Sequence, residues 1–321
     1  MSIQSTHRPG RSHPALSRRA LLAGTAAGAV GLSLAACGKG KKAGSQADSK
    51  TVTVVTHDSF HVSEDLQKAF TSETGYTLKI ATSGDAGALV NKLVLTKDAP
   101  LGDAVFGIDN TYATRALDQG VIDTSATVTL PKGAESYVVA DTPALAPIDV
   151  GDVCLNIDTG YFSGKGLNPP ATFEDLTKPE YKGLLVAINP TNSSPGMAWL
   201  LATIGHFGAG SFAGYWKQLM ANGARIAEDW SAAYETDFSG SGKGTYPIVV
   251  SYASSPSFTV SKDKSSSSTS ALLDTAFRQV EYAGVLKGAA NPEGGKAFVE
   301  WMLSKAVQED IPGQMYMYPV L

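Results

Sequence analysis

Three short apolar runs separated by two helix-patterned stretches, all between Thr51 and Ile108, constrain the fold more than any other feature of this 321-residue chain. Thr51 to Thr56, TVTVVT, is wholly β-branched and reads as a strand, and Tyr76 to Ala81 and Asp103 to Ile108 are the next two. Between them, Glu64 to Thr71 spaces Leu66, Ala69 and Phe70 as a helix does, and Asp85 to Leu95 sets Leu89, Leu93 and Val94 on one helical face. This β-α-β-α-β rhythm predicts an α/β fold with a parallel sheet covered by helices, whose ligands bind beyond the carboxyl ends of the strands. His57-Asp58-Ser59-Phe60, Ser83-Gly84-Asp85 and Asp109-Asn110 follow the three strands, and each segment carries an acid. A single such Asp is more often a helix cap or turn residue, so it is the agreement of three strand ends that points to a site.

A second region begins near Asp149. Val153 to Ile157 and Leu184 to Ile188 read as strands, Thr172 to Leu176 as a short capped helix, and Pro195 to Ile204 as a longer one. Asn189 to Gly196, NPTNSSPG, puts Pro195 at the first helical position behind Ser194, an arrangement that serves either as a cap or as an anion site. Trp230 to Tyr234 then precedes a Gly-rich loop from Ser239 to Thr245, the strand Ile248 to Tyr252 and the loop Ala253-Ser254-Ser255-Pro256. Gly242-Lys243-Gly244-Thr245 lacks the Lys-Ser/Thr adjacency of a nucleotide-binding loop and reads as a turn. Lys262 to Ser270 reads as a surface loop, Gly294 to Leu303 as a helix, and Met315-Tyr316-Met317-Tyr318-Pro319 follows.

The N-terminus reads as an export address. Residues 1–19 hold Arg8, Arg11, Arg18 and Arg19 and no acid, and an uncharged stretch from Ala20 to Ala36 follows. Residues 1–36 fit a signal peptide, since the uncharged stretch is glycine-interrupted and barely long enough for the ~30 Å of a bilayer core. Leu34-Ala35-Ala36-Cys37 resembles a bacterial lipobox, which makes Cys37 a lipidation candidate and residues 37–50 a lipidated cysteine with a flexible tether. Ser17-Arg18-Arg19-Ala20-Leu21-Leu22 resembles a twin-arginine export signal, a pattern that an ordinary secretory n-region also satisfies.

With Cys37 acylated, Cys154 is the only cysteine of the body, so no internal disulfide forms there. The chain has 26 Lys+Arg against 30 Asp+Glu; without the four N-terminal arginines, 22 remain and the net charge falls to −8. That acidic balance disfavours nucleic acid, which requires a basic footprint. A hydrophobic content of 43% excludes a disordered chain, and at ~100–200 residues per domain the length suits two domains.

Taken in order, six stretches resemble the periplasmic thiamine-binding proteins of ABC importers, a family within the type II solute-binding fold. They are THDSF (Thr56 to Phe60), GIDN (Gly107 to Asn110), NPTNSSPGMAWLL (Asn189 to Leu201), DWSAAY (Asp229 to Tyr234), VVSYASSP (Val249 to Pro256), and FVEWMLS with IPGQMYMYPV near the end. The resemblance implies two α/β lobes closing on a ligand in the cleft between them, lobe 1 from residues 51–147 plus 275–321 and lobe 2 from residues 148–274. It implies a monomeric, lipid-anchored receptor on the extracytoplasmic face that carries thiamine, or its mono- or diphosphate, to a permease and ATPase. Neither catalysis nor a cofactor nor a metal is part of that expectation.

Carried over position by position, the resemblance makes Asp85 and Ala86 line the site, Ser193 and Ser194 take a hydroxyl or phosphate, and Trp230 stack on the ligand. Tyr252, Ala253, Ser254 and Ser255 form the opposing wall. A thiazolium is a cation without N–H donors, so aromatic faces and carboxylates suit it, here Trp230, Tyr252 and Tyr316 with Asp58 and Asp109. Two positions depart from the family: His57 stands where Tyr is common, and Tyr316 where Trp is. Family members also continue by several tens of residues past the position of Leu321.

Two rival readings share the fold. Iron-binding relatives would need His57, His61 and Asp58 as ligands, yet His57 ends a strand, and Tyr316 and Tyr318 are separated by Met317 rather than adjacent. Thiaminase enzymes attack thiamine with a cysteine, and Cys154 is the candidate nucleophile, flanked by Asp152 and Asp158 in a strand where a buried, inert thiol is the common case.

Overall fold

The computed structural model describes residues 50–321; the stretch expected to be a signal peptide, Cys37 and nearly all of the expected tether lie outside the described residues. The β-branched run forms β1 (Thr51–Thr56), with Val52, Val54 and Val55 fully buried. Helix α1 (Glu64–Thr74) stops at Gly75, whose φ of 73° turns the chain back into β2 (Thr77–Thr82). β2 pairs parallel to β1 from Thr51↔Thr77 to Thr56↔Thr82. The Asp85 carboxylate accepts from Ala86 N (2.7 Å) to cap α2 (Ala86–Leu95), which leads into β3 (Ala104–Asp109), parallel to β1 on its other edge. The expected β-α-β-α-β unit is present, with Asp109 as the last residue of β3 rather than the first of a loop.

After α3 (Ala113–Asp118) the chain departs from that expectation. Strand β4 runs thirteen residues (Ala146–Asp158), and α4 (Thr159–Lys165), β5 (Leu185–Ile188), α5 (Ser194–Phe207), α6 (Phe212–Ala221), β6 (Arg225–Ala227) and β7 (Ile248–Tyr252) follow. Strand β8 then runs seventeen residues (Thr269–Val285), before α7 (Pro292–Met302), α8 (Lys305–Gln314) and the short β9 (Tyr318–Pro319). The sheet order is β2-β1-β3-β8-β4-β7-β5-β6, with β9 on β4. Both ends are parallel as expected, but β3/β8, β8/β4 and β4/β7 are antiparallel, so the sheet is mixed. The central strands escaped the pattern because acids, glycines and short polar residues interrupt their apolar alternation.

Local shifts have local causes. α5 starts at Ser194, with Ser193 at its N-cap position but making no side-chain cap bond, so Pro195 is its second residue, where a missing N–H is harmless. The short helix expected at Thr172 to Leu176 is a 3₁₀ turn, Glu174–Thr177, closed by Asp175 accepting from the Ala171 and Thr172 N–H groups.

Two hydrophobic cores flank the middle of the sheet. The first gathers Phe70, Phe106, Phe298 and Trp301; the second gathers Phe173, Trp199, Tyr215 and Phe238. Burying each such side chain stabilises the fold by about 1.5–3 kcal/mol. β4 serves both, with Ile148 and Val150 in the first core and Val153, Leu155 and Ile157 in the second. β8 does the same, and the expected boundaries at 147/148 and 274/275 both fall inside these two strands.

Candidate ligand-binding cleft

A cleft opens between the two cores. Its walls come from strand ends, as the sheet topology requires. His57 and Ser59 follow β1, Asp85 follows β2, Ser194 and Pro195 open α5, and Tyr252, Ser254, Ser255 and Phe258 end or follow β7. Trp230, Glu281 of β8 and Met315-Tyr316-Met317 beyond α8 complete the lining.

The aromatic wall is held rigidly. Trp230 Nε1 donates to Ser251 Oγ (2.9 Å), which is hydrogen-bonded to Ser255 Oγ (2.8 Å), which in turn accepts from Tyr252 N (3.1 Å). The indole stacks on Tyr234, with centroids 5.0 Å apart and planes 10° apart. Tyr252 packs against both cores and its hydroxyl donates to Gln279 Oε1 (3.2 Å). Tyr316 stacks on Phe258 from the other side of the cleft, and its backbone takes a φ of 57°, a left-handed value that a bulky residue adopts only under constraint.

Behind that wall lies an acidic rung. Asp109 of β3 pairs with Glu281 of β8, and Glu281 pairs with Asp149 of β4, so three acids stand abreast on neighbouring strands. All three are buried. Burial and the charge of Glu281 hold the Asp149 carboxyl well above the usual carboxylate range, so it keeps its proton at neutral pH and is the donor of the pair. Neither Asp149 oxygen accepts a hydrogen bond, in keeping with that state. Burial also pushes Asp109 up to about 6, against the hydroxyls of Ser194 and Thr111 that donate to it. Burial raises Glu281 too, but His57, with smaller help from Asp149 and Gln279, brings it below its ordinary value and keeps it ionised.

His57 is the one basic side chain that the cleft lining offers these acids among the described residues. Burial lowers its pKa, and Glu281, then Asp85 and Asp58, raise it above the ordinary value. Its Nδ1 accepts from Ser59 N (3.1 Å), which places the remaining proton on Nε2, 3.5 Å from Glu281 Oε1. That separation makes no aligned hydrogen bond, so Coulomb attraction couples the two. The ring lies over Gly107, where φ is 99° and a Cβ would sit 2.1 Å from His57 Cδ2. Only glycine satisfies both demands at that bulge in β3.

Contacts also bridge the two cores. Tyr112 Oη donates to Pro190 O (2.6 Å), Gly87 N to Asn192 O (2.8 Å), and Ser194 Oγ to Asp109 Oδ2. Asp85, its pKa raised by burial, accepts weakly from Trp230 N (3.4 Å) and lies beside Ser193 Oγ without an aligned bond. A Cβ on Gly87 would meet Thr191 O at 2.5 Å, so this approach of α2 to the second core depends on glycine.

Of the residues singled out in the sequence, Asp85, Ser194, Trp230, Tyr252, Ser254, Ser255 and Tyr316 line the cleft. Ala86, Asp109, Ser193 and Ala253 sit behind or beside it. Asp58 is exposed and accepts from Gly84 N (3.0 Å), bracing the loop that carries Asp85. Glu281, Phe258, Met315 and Met317 were missed; Glu281 had a signal, a lone acid within the apolar run Val280 to Val285, and Phe258 had none. His57 lines the cleft while His61 is exposed, and no cluster of metal-ligating side chains occurs among the described residues. Cys154 is fully buried with its thiol pushed up to about 12 by burial, which removes it as a nucleophile.

Residues 103–321 match the bacterial extracellular solute-binding protein family. The chain belongs to that family. It is 27% identical over 279 residues to the thiamine-binding periplasmic protein of Escherichia coli, covering 84% of this chain and 80% of that protein. The fold superposes on a periplasmic thiamin binding protein with a TM-score of 0.72, 26% identity and coverage of 84% and 83%. Iron-bound HitA of Pseudomonas aeruginosa shares the architecture at a TM-score of 0.63 and 19% identity, covering 84% and 86%. The fold is thus that of the type II periplasmic binding proteins, and the protein is an extracytoplasmic solute-binding receptor rather than an enzyme.

Proposed function

We propose that the solute is thiamine, captured between two lobes built on the two cores and delivered to the permease and ATPase of an ABC transporter. In this reading Cys37 carries the lipid that holds the receptor at the outer face of the cell membrane, and the receptor acts as a monomer. The observation that carries the ligand assignment is the character of the cleft. Trp230, Tyr252, Phe258 and Tyr316 present aromatic faces, Asp85 and Glu281 present carboxyl groups, and the lining contains neither Lys nor Arg. A permanent cation gains from both without needing to donate a hydrogen bond. The relatives named thiamine-binding support the same reading.

The hydroxyl at the start of α5 is already engaged by the protein's own acid. Ser194 donates to Asp109, and neither Lys nor Arg stands in the lining to neutralise a phosphate. Thiamine is therefore the preferred form over its phosphates. Calorimetric titration of the purified protein with thiamine and thiamine diphosphate, with mass analysis of the recovered ligand, tests this. Sub-micromolar binding of intact thiamine, no weaker than that of the diphosphate, is expected; absence of thiamine binding by folded protein overturns the assignment.

A further inference from the structure

We infer that Glu281 is the specificity-determining residue of the cleft, reading the amino-substituted edge of the ligand's heterocycle rather than its permanent charge. The inference rests on the thiamine reading above. Glu281 is 5% exposed, and what remains accessible of it faces the cleft. Its position in the sheet is unfavourable for stability, because the Asp109 carboxylate flanks it in register and like charges directly opposite one another destabilise a sheet.

The fold also leaves Glu281 short of donors. A buried carboxylate requires several, and here the neighbours are the Asp149 proton, the Gln279 amide and the His57 imidazole. His57 Nε2, on a residue 8% exposed that lines the same cavity, has no aligned hydrogen-bond partner. The cavity thus ends on an acceptor held in β8 and, beside it, a donor held by the turn that follows β1. That pair matches the edge of an aminopyrimidine, where an exocyclic N–H donor lies next to a ring-nitrogen acceptor. A thiazolium has no N–H to offer Glu281 and is better placed against the aromatic faces of Trp230 and Tyr252.

The test compares thiamine with oxythiamine, which keeps the thiazolium and replaces the amino group by oxo. A site built to accept from an amino group strongly rejects the analogue lacking it, so the unmodified protein is expected to favour thiamine by about thirtyfold or more. Glu281→Gln is expected to weaken thiamine by about thirtyfold and to bring the two affinities within about threefold of each other. Glu281→Gln removes a charge from the rung, and a thermal melt checks that it folds. Equal weakening of both ligands shows that Glu281 acts only as a charge and overturns the inference. So does near-equal binding of the two by the unmodified protein, whatever the variant does. Failure of the unmodified protein to bind thiamine overturns the thiamine reading as well, which separates the two failures.

Discussion

Asp149 on β4 and Glu281 on β8 face one another directly across an antiparallel ladder, two buried acids sharing one proton. The pair holds together because Asp149 is neutral and donates, so Asn at position 149 can replace it as a donor. Because the native carboxyl binds its proton more tightly than the unfolded one, Asp149 lowers stability as pH rises above the ordinary carboxylate range. Asp149→Asn is expected to match or exceed the parent in stability at pH 8 and to show the smaller loss between pH 5 and pH 8. Urea denaturation at the two pH values reads this directly.

Asp109 gives a second titration with a defined window. Its pKa rises from 3.8 to about 6 on burial, so the folded protein holds a proton there that the unfolded chain has released. The Asp109 contribution to stability therefore falls as pH rises from about 4 to 6 and is flat beyond, a loss of the order of 2–3 kcal/mol. Asp109→Asn keeps an oxygen for the Thr111 and Tyr112 N–H groups and is expected to flatten that interval. An unchanged slope would assign the proton to another group.

Trp230→Ala removes an aromatic face together with the bond to Ser251. The loss of cation–π attraction in a desolvated site is about 2 kcal/mol, or roughly thirtyfold in affinity. Trp230→Phe, which keeps a ring but no donor, should recover part of it in the same calorimetric titration.

Tyr112→Phe isolates closure from ligand contact, since Tyr112 does not line the cleft but bridges the cores through Pro190. Losing one such bond weakens the closed form by about 1 kcal/mol, so ligand affinity is expected to fall about fivefold. Small-angle scattering of the ligand-free protein should show a larger radius of gyration than the parent.

Gly107→Ala tests the seat of His57. An alanine at φ 99° is strained and its Cβ meets the imidazole, so destabilisation of about 1–3 kcal/mol is expected with weaker ligand binding. Thermal melts with and without ligand measure both effects.

What the sequence disclosed follows its periodicity. Between Thr51 and Asp109 the strands are short, β-branched and bounded by helix caps, and the elements lie where the pattern puts them. β4 and β8 were largely hidden because residues such as Asp149, Gly151 and Glu281 break the apolar alternation, and of these Glu281 serves the cleft. The residues of the cleft wall were legible where a loop followed a recognised strand, as at Asp85 and Tyr252. Phe258 and the chain near Tyr316 enter only through tertiary contact, which no local spacing encodes.

The central position of β8 also sets the order in which the molecule can be completed. Asp109 meets Glu281 across 172 intervening steps of chain, and β3 has no neighbour on that edge until residues 269–285 arrive. Contacts that distant are slow to form, because the loop must close before any pairing rewards it. Until then both halves of the sheet present open central edges, so the nascent chain stays unfinished until β8 is made, and a chaperone that shields strand edges would delay folding more effectively than one that recognises helices.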